Sequence, residues 1–256
     1  MDTPKVLPVI EPANQKAKPH HPHLPKVDVG VAGGGALVLM LAPVKTGKST
    51  IISNLFLNPN FFGQYFFDDV QILSNTIAND VTSRFMKKAF NVTDHYSDAV
   101  VDKLIKRQYD AEPEDRLEMA LILDDCLGSI KRESKINHLA SRYRHANIKL
   151  LIISSQKFKG SVSPVIRSNA TNVIIGSPFP NQKELMAIAE EYGDNFGGAD
   201  NFLKHYHIAT PNRYDFCHLD MQSNPPLMYS NFDKVVLTGG VGIVEDGEPQ
   251  PEPEPE

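Results

Sequence analysis

The run Ala42-Pro43-Val44-Lys45-Thr46-Gly47-Lys48-Ser49-Thr50 is the strongest chemical signal in the chain. It follows six apolar residues, Ala36–Leu41, and opens a stretch read as a helix over Ser49–Leu57. A buried strand, a loop ending in Gly-Lys-Ser and a helix make up the P-loop arrangement. There the loop N–H groups and the helix N-terminus form a cradle for phosphate oxygens. Lys48 would reach the outer phosphates of a nucleoside triphosphate, and the Ser49 hydroxyl would ligate Mg2+. Ala42 stands where the pattern carries its first glycine, a change that matters only if the position needs a positive φ.

Such a cradle needs an acid at the tip of a neighbouring strand. Ala120-Leu121-Ile122-Leu123-Asp124-Asp125 offers two. Successive side chains on a strand point to opposite faces, so the two carboxylates cannot share one role. Asp124 is read as the Mg2+ ligand, and Asp125 as the group that accepts a proton from the attacking water or positions it. The competing reading makes both solvated turn residues. A third strand end, Ser154-Ser155-Gln156, presents an amide that can contact the γ-phosphate or the water and report nucleotide state; otherwise Gln156 is a surface residue. Cys126 reads as a small buried residue and not a nucleophile.

Residues 131–167 hold nine bases (Lys131, Arg132, Lys135, Arg142, Arg144, Lys149, Lys157, Lys159, Arg167) and one acid, Glu133. That is +8 in a chain whose formal charge is −5, so the other residues together carry −13. A basic zone in an otherwise acidic chain is an electrostatic footprint for a polyanion; the alternative is a solvated helix face. Some of these arginines can instead serve a neighbouring subunit's γ-phosphate, a use that requires a ring or filament.

To place these residues the chain needs strands alternating with helices. Apolar runs predict strands at Ala36–Leu41, Val70–Leu73, Ala120–Leu123, Leu150–Ser154 and Asn172–Ile175. Helices are predicted at about Ser49–Leu57, Asn79–Phe90, Ser97–Tyr109 and Gln182–Tyr192. This alternation indicates an α/β fold with a largely parallel central sheet covered by helices on both faces. Phe216–Met221 and Leu227–Tyr229 read as a late hairpin at the sheet edge.

The 256 residues, 41% hydrophobic and 22% charged, suffice for one such domain, expected over residues 30–244. Residues 1–29 carry six prolines and a His20-His21-Pro22-His23 cluster, and read as an extended arm. The histidines can bind a metal, though in such an arm the clustering is usually incidental. Residues 245–256 hold six acids, no base and four prolines, and read as a disordered tail; without it the formal charge becomes +1. Two cysteines are too few for a disulfide framework. Neither a secretion signal nor a membrane-spanning run is expected from the sequence.

The P-loop, the apolar strand ending in Asp124-Asp125, then Ser141-Arg142-Tyr143-Arg144-His145, Ser155-Gln156 and Ile166-Arg167-Ser168-Asn169 occur in the order seen in viral DNA-packaging ATPases of the poxvirus type. Over about residues 35–195 the chain resembles that branch of the FtsK/HerA group of P-loop translocases. The resemblance implies a ring-forming ATPase, of five or six subunits, that drives double-stranded DNA into a capsid with ATP and Mg2+. It implies capsid or portal partners, and a location in the virion or at the host-cell site of assembly. Carried over by position, Lys48 and Ser49 are nucleotide and Mg2+ ligands, Asp124 and Asp125 the acid pair, and Gln156 the sensor. Arg144 and Arg167 are the motif arginines, and which of them acts in trans stays open. Asp125 stands where many translocases of the wider group have glutamate. Two rival readings are a nucleoside or nucleotide kinase and a nucleotide-bound virion protein without turnover.

Overall fold

The computed structural model describes residues 34–77, 84–126 and 133–240, together with residues 27, 29 and 130. The acidic tail read at 245–256 lies outside the described residues, as does the proline-rich arm apart from residues 27 and 29.

The described strands form one sheet in the order β3-β2-β4-β5-β1-β6-β7-β8-β9. They are β1 (Ala36–Leu41), β2 (Asp69–Ser74), β3 (Asn91–Thr93), β4 (Met119–Asp124), β5 (Ile148–Ser155), β6 (Asn172–Gly176), β7 (Phe216–Asp220), β8 (Leu227–Ser230) and β9 (Lys234–Thr238). The first six pair in parallel and the last three add antiparallel. The helices are α1 (Lys48–Leu57), α2 (Arg84–Ala89), α3 (Asp98–Asp110), α4 (Lys135–Arg142), α5 (Pro164–Asn169), α6 (Gln182–Tyr192) and α7 (Ala199–Ala209).

The expected α/β architecture with an edge hairpin is what forms, with several differences in detail. The acid strand β4 does not adjoin the P-loop strand β1, because β5 lies between them. The hairpin has a third strand, β9. The helix expected over 79–90 is helical at Arg84–Ala89, and residues 78–83 lie outside the described set. Helices α4, α5 and α7 and strand β3 were not anticipated.

The continuous apolar strands divide their side chains between two layers, as a strand's period of two requires. Leu37, Leu39 and Leu41 of β1, Leu121 and Leu123 of β4, and Leu151 and Ile153 of β5 pack in one core with residues of α3, α4, α6 and α7. Ala36, Val38 and Met40, Ala120 and Ile122, and Leu150 and Ile152 face the other core, with Ile51, Ile52, Leu55 and Phe56 of α1. The parity of β4 therefore puts Asp124 on the α1 face.

Ala42 is 1% exposed and is not among the residues with positive φ. The missing first glycine is thus no conformational burden. Its methyl has room because Gly176, at the end of β6, has none: a Cβ there would sit 3.0 Å from Ala42 Cβ and 3.2 Å from Thr46 Oγ1. Gly176→Ala is expected to destabilise the chain by about 1–3 kcal/mol in urea denaturation. Adding Ala42→Gly should recover part of that loss, and an undiminished loss in the double variant would refute the contact.

Candidate active site

The chain leaves β1 at Leu41, and Ala42 N donates to Ser155 O of β5 at 3.0 Å. Thr46 Oγ1 donates back to Pro43 O at 2.7 Å, closing the loop on itself. Lys45 (φ 64) and Gly47 (φ 88) are left-handed, which lets the chain turn sharply into α1. Gly47 caps α1, no side chain bonds to its first N–H groups, and its first turn carries no acid. Free donors and the positive end of the helix dipole are thus left for an anion.

Lys48, 8% exposed, reaches back across the strand ends to the acid pair. Its Nζ donates to Asp125 Oδ1 and lies 3.8 Å from Asp124 Oδ1. Both carboxylates therefore face one ammonium, contrary to the expectation from strand alternation. The reason is local: β4 ends at Asp124, and Asp125 takes φ 53, which turns its side chain back to the same side. A left-handed aspartate costs little compared with bulkier residues, since its short polar side chain bonds locally.

Asp124 is 6% exposed and accepts from Ser154 Oγ at 2.7 Å and Ser74 Oγ at 3.3 Å. Burial holds its carboxyl above the ordinary carboxylate range, against the pull of Lys48 and Ser154. Asp125 N donates to Ser154 Oγ at 3.0 Å, and Asp125 Oδ2 accepts from Gln156 Nε2 at 3.1 Å. Lys48, Asp124, Asp125 and Gln156 thus form one bonded cluster at the C-terminal ends of β1, β4 and β5. Cys126, fully buried, donates to Leu73 O, and burial pushes its thiol up to about 12.

Ser49 and Asp124 line one small cavity with Ser53, whose hydroxyl is buried without a partner. A hydroxyl and a carboxylate on one small space are oxygen donors of the type Mg2+ takes beside phosphates, so the residues present fit that ion. Among the described residues no cluster of three or more His, Cys, Asp or Glu is placed to hold a metal by itself; the His20-His21-Pro22-His23 cluster lies outside them.

A cavity of about 1140 Å3 opens over the loop. Pro43, Val44, Lys45, Gly47, Lys48, Ser49 and Thr50 line it, with Asp125 and Gln156. Its far wall was not anticipated from sequence: Phe61, Arg213, Tyr214, Phe216 and Phe232. Arg144 and Arg167 are elsewhere. Arg144 is exposed in the turn before β5, where its Nε donates to Gly35 O at 3.3 Å and to Tyr143 OH at 3.1 Å. Tyr143 OH also donates to Gly35 O, at 3.0 Å. Gly35 precedes β1, so this group marks the end of the sheet opposite the loop. Arg167 on α5 pairs with Glu191 at 2.7 Å and stacks over Phe158.

The basic zone is broken up in the fold. Lys135 meets Asp102 at 3.5 Å, Lys149 meets Glu118 at 3.8 Å and Lys159 meets Glu190 at 3.7 Å. With Arg167, four of the nine bases are matched by acids from outside the zone. Lys131 and Arg132 lie outside the described residues. Arg142, Arg144 and Lys157 stay exposed.

A carboxyl whose folded value is raised lowers stability as pH climbs from its unfolded value through its folded one. Asp124→Asn removes that cost. Its melting temperature relative to the native chain should therefore rise as pH climbs from the unfolded value of the carboxyl to its higher folded one, and level off above it. A variant less stable than the native chain at pH 7 would contradict the balance of burial over pairing.

No protein-family model matches the chain. An uncharacterised protein, 088R, of Invertebrate iridescent virus 3 is 26% identical over 170 residues, which cover 64% of this chain and 60% of that protein. Among solved structures, the DNA-packaging ATPase B204 of Sulfolobus turreted icosahedral virus superposes with a TM-score of 0.57 at 17% identity, over 78% of this chain and 98% of that one. The genome-packaging NTPase B204 of Sulfolobus turreted icosahedral virus 2, in complex with ATP-γ-S, gives 0.54 at 18%, over 77% and 98%. The cytoplasmic domain of the type VII secretion ATPase EccC of Thermomonospora curvata gives 0.58 at 13%, over 93% of this chain and 31% of that one. This chain has the P-loop fold that the viral genome-packaging ATPases also have.

Proposed function

We propose that the chain is an Mg2+-dependent ATPase that works in an oligomeric ring and drives double-stranded DNA into a viral capsid. The observation that carries this reading is the bonded cluster of Lys48, Asp124, Asp125 and Gln156 beside an uncapped helix N-terminus. The fold shared with packaging ATPases supports the DNA-translocating role.

The cluster suits hydrolysis. A triphosphate arriving in the loop competes with Asp125 for the Lys48 ammonium. Once Lys48 turns to the phosphates, Asp125 is free to accept a proton from water, and the Gln156 amide holds it in direction. Asp124, fixed by two serine hydroxyls, would hold Mg2+ together with Ser49. Bound there with the nucleotide, Mg2+ would neutralise the phosphate oxygens as charge develops on them. Arg144 and Arg167 lie outside this protomer's cavity, so a catalytic role for either requires a neighbouring subunit, as a ring provides. Contacts to DNA phosphates through exposed bases such as Arg142 would be independent of sequence, as genome packaging needs.

The test is phosphate release with and without duplex DNA, with the assembly sized in the presence of a non-hydrolysable ATP analogue. Mg2+-dependent release, stimulated by DNA and accompanied by ring assembly, is expected. Lys48→Ala should abolish turnover. Asp125→Asn should still bind ATP but lose about 100-fold or more in rate. An assembled native chain that releases no phosphate, or that transfers it to a nucleoside, would overturn the proposal.

A further inference from the structure

The sheet order gives the cavity a direction. Asp125 and Gln156 stand on the β4–β5 side of β1, whereas Phe216 begins β7 and Phe232 follows β8, on the opposite side. A triphosphate with its outer phosphate toward Asp125 therefore has its nucleoside toward the aromatic wall. That wall is continuous. Phe61, in the loop after α1, meets the Phe232 ring at 5.6 Å between centroids, and Phe232 meets Phe216 at 4.8 Å.

Tyr214 adds an exposed ring. It is 55% exposed, left-handed at φ 74, and its Cδ1 would lie 3.7 Å from a Cβ built on Gly47 of the P-loop. A bulky residue keeps such a backbone only where its surroundings impose it, and such residues gather at ligand sites. Here Tyr214 N donates to Ser177 O at 3.2 Å, and Asp215 accepts from Asn212 and Asn231. The Arg213 guanidinium lies over the Tyr214 ring, its Cζ 4.9 Å from the ring centroid.

Among the described residues the wall offers no carboxylate to read a base edge, and its one guanidinium, Arg213, is drawn to the Tyr214 ring. Guanine's N–H donors call for a carboxylate, and Asp125, the one acid lining this cavity among the described residues, is held by Lys48 and Gln156 at the phosphate end. The Asn54 amide already donates to Thr50 O at 2.9 Å. We infer that Phe61, Tyr214, Phe216 and Phe232 form a base subsite that grips a purine by its faces and not by its edges, so that ATP and GTP are taken alike. The inference rests on the P-loop reading above and extends it to the nucleoside.

The experiment measures binding of ATP, GTP and inorganic tripolyphosphate, each with Mg2+, to the native full chain, Tyr214→Ala and Tyr214→Phe. ATP and GTP should bind within about tenfold of each other, since a wall with no free carboxylate for guanine's N–H groups discriminates weakly. Tyr214→Ala should weaken both on the order of tenfold, the scale of one lost base stack, and Tyr214→Phe should restore them. Tripolyphosphate, which has no base, should bind all three forms equally. ATP held more than about 100-fold tighter than GTP would overturn the face-only subsite, because only a read edge discriminates so far. Unchanged ATP affinity in Tyr214→Ala would overturn the role of the ring. Equal loss of tripolyphosphate would show that the variant damages the loop, which also overturns it. A native chain that binds neither tripolyphosphate nor ATP would remove the P-loop reading itself, an outcome distinct from the others.

Discussion

A buried ammonium facing two carboxylates is the constraint around which the site is built. One cation against two anions, nearly closed off from water, is unfavourable unless further donors share the negative charge. Ser74 and Ser154 supply them to Asp124, and Gln156 to Asp125. These partners come from the ends of β2, β4 and β5, with Lys48 entering just past β1. Those four strands are consecutive in the sheet. The sheet order thus works as an electrostatic arrangement, and the insertion of β5 between β1 and β4 is what brings a serine and a glutamine beside the acids that the lysine meets.

The two cores do different work around that row. The face carrying α1 also carries Asp124, Ser49 and the phenylalanine-rich loop, so ligand chemistry and one core share a layer. The opposite face, under α3, α4, α6 and α7, holds the sheet from behind. The antiparallel strands β7 to β9 extend the sheet past β6, and Phe216 of β7 and Phe232 in the loop after β8 close the cavity on the side away from the acids.

Much of this was legible because buried parallel strands read as unbroken apolar runs. β1, β4, β5 and β6 could be placed to within two residues; Lys48 and Ser49 are marked by the Gly-Lys-Ser opening of α1, and Asp124, Asp125 and Gln156 by their positions at strand ends. Other elements gave weaker signals. In α4 the apolar set Ile136, Leu139 and Ala140 has helical spacing, but it is short and set among polar and basic residues. In α5 the pattern Ser163-Pro164, a cap followed by proline in the first turn, was the available clue. α7 follows two glycines and buries only Phe202, Tyr206 and Ala209. The edge strand β9 has no continuous buried run. The orientation of Asp125 was not readable, because strand alternation holds only while the strand continues. The aromatic wall was hidden for another reason: its rings come from separate loops and strand ends that only the sheet order brings together.

The Tyr143 and Arg144 clasp on Gly35 sits at the foot of the strand whose head is the phosphate loop. β1 is flanked by two parallel neighbours, six residue pairs with β5 and four with β6. A tug applied at Gly35 along the strand axis would meet those ladders in shear, every rung loaded at once, and not be peeled one rung at a time. The strand is therefore a stiff tie rod through the middle of the molecule, able to carry mechanical tension between opposite ends of the sheet without coming apart.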